Sequence, residues 1–166
     1  MQRPSIPIKL RSTHWFIEGF SILLLLFGVA YGSLNYASLP QTIPTHFGIS
    51  GQPNGFGDKY NLLVVIGLNV LVFGLMSLAR RYPALINYPF QLTPKNEENH
   101  FKNAFLMISV MKLFSSLLFG EIIYSTVQTT LGHQSGLGIV MLAIVIGFIF
   151  SVGFFLYKGY LISNKP

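Results

Sequence analysis

The sequence predicts an all-α integral membrane protein, a bundle of four transmembrane helices capped at one end by an ordered extracytoplasmic loop, in a single membrane domain over residues 1–166. Three observations carry that prediction. Of the 166 residues, 51% are hydrophobic and 10% charged, against about 25% charged in soluble chains, so polar surface is too scarce to cover a water-soluble globule. Four apolar runs are each long enough to cross roughly 30 Å of hydrocarbon, which takes about 20 residues. Between two of them lies the connector LPQTIPTHFGISGQPNGFGDK, 21 residues with three prolines and four glycines.

The first run, residues 16–36, contains Glu18 as its one charge. The second, 62–79, is uncharged and carries Asn69 in its middle. The third, 104–127, is interrupted by Lys112 and Glu121, and the fourth, 137–157, has no charge. Runs that are apolar on every side belong in lipid, because a helix lying on a water-soluble core keeps one polar face. A competing reading makes the first run a removable signal peptide: Arg3, Lys9 and Arg11 precede it, and Ala30-Tyr31-Gly32 has the small-residue look of a cleavage site. Its length favours a retained helix.

Threading follows from the cations. Arg3, Lys9 and Arg11, then Arg80, Arg81, Lys95 and Lys102, then Lys158 and Lys165 all fall on one side of the four runs, and Lys59 falls alone on the other. The positive-inside rule therefore puts both termini and the 80–103 connector in the cytoplasm of a cell with this protein in its plasma membrane, and the 37–61 loop outside. The net charge of +6 forms no stripe on a soluble face, which argues against nucleic acid as a partner. With no cysteine, disulfides and thiol chemistry are excluded. The bilayer is the expected partner. Small residues at four-residue spacing (Gly28 and Gly32; Ser116 and Gly120; Ala143, Gly147 and Ser151) mark helix-packing stripes, and a homo-oligomer face is one possible use of them.

The 80–103 connector reads further. Pro83, Pro89 and Pro94 prevent a continuous helix across its first part. Thr93 before Pro94 looks like a helix cap, with Glu97 and Glu98 in the first turn, so the third helix is expected to begin near Pro94, in water. Glu98 and Lys102 have the favoured order for a pair four residues apart.

These segments resemble a known family. Leu39, Pro40, Ile43, Pro44, His46, Phe47, Gly51, Pro53, Gly55 and Lys59 follow the first run in the order L-P-x-x-I-P-x-H-F…G-x-P…G…K. Arg81, Tyr82, Pro83, Asn87, Tyr88, Pro89, Thr93, Glu98 and Asn99 follow the second. Together they resemble the bacterial membrane family of domain of unknown function 1648 over roughly residues 16–110. The same domain opens the Sdp-toxin immunity proteins, which are similar in this first half and add further spans. The resemblance implies a membrane location and leaves the activity unassigned.

Loops beyond about 12–15 residues without structure of their own are usually functional or disordered. The apolar anchors Ile43, Phe47, Ile49 and Phe56 favour order, so residues 37–61 read as a folded cap without helix or strand. Within it Pro44, His46, Phe47, Asp58 and Lys59 are candidate recognition residues, beside the plainer reading of a lid without a ligand. No metal site is assigned. His46, Asp58, Glu121 and His133 reach the same side and include zinc-type ligands, but none stand at short ligand spacing. The plain role for His46 is a hydrogen bond to the loop backbone.

Glu18, Asn69, Lys112 and Glu121 are the polar side chains inside the runs that call for an explanation. Lys112 lies about 12 Å into its run, where an unpaired charge is costly, so it should face the bundle interior. Glu121 is about 180° away around the helix and about 25 Å from its inner end, so the two do not pair. Glu18 is within reach, and Asn69 is placed at similar depth. A ligand- or proton-sensing role is the sharper alternative for Lys112.

No phosphate loop, catalytic triad, H-E-x-x-H or paired catalytic carboxylates occur, so neither an enzyme nor a cofactor is expected. The leading expectation is a non-enzymatic protein of immunity or sensing type that recognises an external peptide, toxin or envelope component through the cap. The alternative is a small transporter-like or ion-handling module using Lys112 and Glu121.

Overall fold

The computed structural model describes residues 12–82 and 88–164. Arg3, Lys9, Arg11, Pro83, Asn87 and Lys165, used above, lie outside them. In chain order the elements are α1 (Ser12–Asn35), a short 3-10 turn (Tyr36–Ser38), β1 (Thr42–Phe47), β2 (Pro53–Asp58), α2 (Tyr60–Arg81), α3 (Glu97–Thr130) and α4 (Ile139–Ser163). All four α-helices are long and apolar enough to cross a membrane.

The all-α expectation is corrected at residues 37–61, which contain an antiparallel hairpin. Thr42 pairs with Asp58, Ile43 with Gly57 and Pro44 with Phe56, and the register shifts on either side of His46. Proline and glycine concealed the strands. A two-stranded sheet consists entirely of edges, where a missing N–H costs no ladder bond, so Pro44 and Pro53 fit. Gly55 makes room for a neighbour: a Cβ there would lie 2.9 Å from the Cβ of His46. The turn closes with the Gly48 N–H on the Gln52 carbonyl at 2.8 Å, and Gly51 has a φ of 79°.

Helix ends also moved. Residues 94–96 form a turn, so α3 begins at Glu97, three residues after Pro94. The N-cap position falls on Asn96, not Thr93, and the Asn96 side chain accepts the Thr93 N–H at 2.8 Å. At 34 residues α3 is about 51 Å long, more than the hydrocarbon requires. The Glu98–Lys102 pair forms as expected, at 2.5 Å.

The helices run up and down, with α3 packed against α1, α2 and α4. Hairpin and α3–α4 loop share one end, the cap end, where the Leu137 N–H donates to the Gly51 carbonyl at 2.8 Å. The other end gathers the start of α1, the end of α2 and the end of α4. There the Asn103 amide donates to the Phe155 carbonyl at 3.0 Å.

Burial is inverted relative to a soluble protein. Among the described residues eleven buried side chains are polar or charged and ten are hydrophobic, while Phe16, Leu23, Ile149 and Phe150 are each more than 60% exposed. In lipid the apolar exterior costs nothing, and small polar residues let helix backbones approach. A Cβ on Gly32 would fall 2.8 Å from Ile66 and 2.9 Å from Ile123, and one on Gly147 would fall 2.9 Å from the Phe114 ring. Gly28 abuts Gly120. Gly28, Gly32 and Gly147 are therefore occupied by packing within the chain, whereas Ala143 is exposed.

Candidate functional site

Two places collect the residues singled out in the sequence, one at each end of the bundle.

At the cap end, Leu39, Ile43, Leu62, Ile66, Ile123 and Val127 form a buried apolar cluster. It fixes β1 onto α2 and α3. Beneath the strand opens a cavity of about 390 Å³, whose walls include Pro44, His46, Phe47, Leu118, Ile122 and Met141. Pro44 is buried, Phe47 half-buried and His46 exposed. The His46 ring meets the Asn54 side-chain oxygen across the hairpin, through Nδ1, so its partner is a side chain and not the loop backbone.

Asp58 and Lys59 have structural partners. One Asp58 oxygen accepts the Tyr60 N–H at 2.7 Å, at the start of α2, and the other accepts the Gln41 amide at 2.5 Å. Lys59 donates to the Leu39 carbonyl at 3.2 Å, and its ammonium sits 4.9 Å from the centre of the Tyr36 ring. Both hold the hairpin base to the helices. Glu121 accepts from Ser125 at 2.9 Å, and Ser125 in turn accepts from Gln134 at 2.9 Å. His133 pairs with Gln128 at 3.1 Å. The weak metal candidates thus have four separate sets of neighbours, and among the described residues no three His, Asp or Glu side chains converge on a common point.

The opposite, ionic end brings α1, α2 and α3 together through charge. The two oxygens of Glu18 are divided: Lys112 donates to Oε2 at 2.5 Å, and the Arg80 guanidinium pairs with Oε1 through Nη1. The Ser109 hydroxyl also donates to Oε1, at 3.0 Å. Lys112 gives a second hydrogen bond to Ser77 at 3.0 Å and lies 4.4 Å from the Phe73 ring centre. The Arg80 guanidinium also lies 5.9 Å from the centre of the Trp15 ring.

Lys112 and Glu18 meet, as sequence reasoning allowed. Asn69 does not join them, which corrects its expected depth. Since α2 runs antiparallel to α3, the helix position that meets Lys112 is Ser77, and Asn69 lies eight residues nearer the cap, about 12 Å away along the axis. There it approaches the Gly28–Gly120 crossing. Sequence reasoning missed Arg80, Ser77 and Ser109 as members of the cluster. A signal existed: Ser109 precedes Lys112 by three residues and Ser77 precedes Arg80 by three, the spacing that puts two side chains on one helix face.

Four helices of this length and composition, one end capped by a hairpin, point to a multi-pass membrane protein. Within that class, a family model described as a domain of unknown function (DUF1648) matches residues 23–70, which run from α1 through the hairpin into α2. An uncharacterized protein of Archaeoglobus fulgidus is 36% identical over 67 residues, covering 36% of this chain and 37% of the relative. The match therefore spans little more than a third of that relative's length. No solved structure matches. The hairpin lies within the family match, whereas Glu18, Arg80 and Lys112 lie outside it.

Proposed function

We propose that the protein is a non-enzymatic membrane receptor of immunity or sensing type, in which the hairpin faces outward and recognises an external peptide or envelope component. The observation that carries this reading is the cavity of about 390 Å³ under β1. Its walls are apolar, with polar groups from Thr45, His46 and Asn61 at hand, a mixture suited to an apolar side chain presented on a polar backbone. Pro44, His46 and Phe47 are the recognition residues in this reading; Asp58 and Lys59 support them from the hairpin base.

Cells lacking the gene should become sensitive to a peptide secreted by their siblings. Wild-type protein should restore resistance, and Phe47→Ala at equal membrane abundance should not. Unchanged sensitivity after deletion defeats the immunity form of the reading. Orientation is tested separately. The chain has no cysteine, so Thr45→Cys supplies a single thiol on an exposed residue. It should react with a membrane-impermeant maleimide in intact cells, and reaction only after lysis would reverse the threading.

A second reading, an ion-handling module, draws on one other observation. Both amide atoms of Asn69 and the hydroxyl of Ser116 are buried without a partner among the described residues. Buried polar groups in this state favour internal water. Lys112 lies one turn from Ser116 on the same face of α3, and Glu121 lies further toward the cap on another face. Proton flux in liposomes, abolished by Lys112→Met, is the outcome this reading requires.

A further inference from the structure

The ionic end holds two cations against one carboxylate, and the two cations are not equally engaged. Lys112 is buried, with its ammonium facing Glu18, Ser77 and the Phe73 ring. Arg80 uses only Nη1, which meets Glu18 and lies 3.5 Å from the Ser109 hydroxyl. Its Nε and Nη2 edge has no hydrogen-bond partner among the described residues. That edge is the planar fork that matches two oxygens of a phosphate.

Next to it opens a cavity of about 520 Å³, lined by Trp15, Glu18, Ser77, Leu78, Arg80 and Lys112. Its rim is apolar and faces outward from the bundle, with Trp15 65% and Leu78 48% exposed. An aromatic ring at the end of a membrane-spanning helix belongs at the level of the lipid headgroups. A positive pocket between helices at that level suits an anionic headgroup.

We infer that this cavity binds the phosphate of an anionic phospholipid. The Nε–Nη2 fork of Arg80 donates to the phosphate oxygens. Lys112 adds positive field without direct contact, and Trp15 and Leu78 flank the upper part of an acyl chain. Glu18 opposes the ligand: its carboxylate orients Arg80 and at the same time offsets part of the attraction. A free phosphate presents the same oxygens but has no use for the apolar rim, which is why the lipid is the assigned source.

The test uses the full chain in neutral detergent micelles doped with phosphatidylglycerol or, in parallel, phosphatidylcholine. Thermal melting and native mass spectrometry read the outcome, and each variant is compared only with itself in the two lipids. Wild type should melt higher in phosphatidylglycerol and retain that lipid. Arg80→Gln should bind it about tenfold more weakly, the loss of one charge-assisted contact, whereas Arg80→Lys should keep part of the difference. Glu18→Gln should enlarge the difference although its baseline melting point falls, an opposite response that a merely structural role does not produce. If Arg80→Gln fails to fold, Glu18→Gln and Arg80→Lys still decide. Equal melting in the two lipids, an undiminished difference in Arg80→Gln, or a reduced one in Glu18→Gln overturns the site. An equal shift from inorganic phosphate at matched concentration overturns the lipid assignment in favour of a free anion.

Discussion

The two ends of the bundle solve the same problem with different chemistry. At the cap end a hairpin is held on α2 and α3 by a small apolar cluster around Ile43 and Ile123, both almost without exposed surface. At the ionic end α1, α2 and α3 are joined by Glu18, Arg80 and Lys112, with Ser77 and Ser109 completing the hydrogen bonds. The cap contains backbone that is not helical, so it needs its own internal pairing and a covered face. The charged side chains at the ionic end all stand on helices, and lipid supplies no force to bring helices together. A shared carboxylate supplies one. The consequence is that the cap should be sensitive to side-chain volume, and the ionic end to charge.

The largest expected effect lies at the ionic end. Glu18→Gln removes the one anion between two cations, and loss of one partner from a buried pair costs about 3–5 kcal/mol. Unfolding in mixed micelles should show a loss of that order. Lys112→Met should cost less, because Glu18 keeps Arg80 and the Ser109 hydroxyl as partners and a methionine can still pack on the Phe73 ring. If the two variants lose equal stability, the carboxylate is not the common link.

Next comes the cap. Ile43→Ala empties a site with 1% exposure and should cost about 2–5 kcal/mol. It should also release the hairpin, read as faster proteolysis within residues 42–58 while the helices stay protected. Helix content falling together with the hairpin would show that the cap is not a separable unit. A smaller effect is expected where α1 crosses its neighbours. Gly32→Val overlaps Ile66 and Ile123 and should cost about 1–3 kcal/mol. Gly19→Val has nothing within 4 Å and serves as the matched control.

The contrast also explains what could be read from the sequence. Helices were legible because length and all-round apolarity depend on neighbouring residues only. The hairpin was not, because Pro44, Pro53, Gly55 and Gly57 weigh against a strand until it is known to be an edge strand with close neighbours. Lys112 announced the need for a partner, and Glu18 was one of few anions available. Arg80 had been counted with the cations that set threading, which hid its second role. Its depth depends on where α2 ends, and that end lies two residues beyond the expected one. Asn69 was misplaced for a related reason: relative depth on antiparallel helices follows from which residues meet, and composition does not specify it.

The smallest effect sharpens the comparison most cleanly, because the geometry is held constant. Glu98 and Lys102 meet at 2.5 Å, the same separation as Glu18 and Lys112. Their side chains are 57% and 47% exposed, whereas those of Glu18 and Lys112 are 13% and 3% exposed. Water screens the first pair and competes for both ends of it, so Glu98→Gln should cost only about 0.3–0.5 kcal/mol, as for other pairs one helical turn apart. That loss should vanish in high salt, while the loss in Glu18→Gln should persist, since buried charges are screened far less. If salt removed both losses alike, the ionic end would have to be as open to water as the start of α3, and its part in holding three helices together would fail.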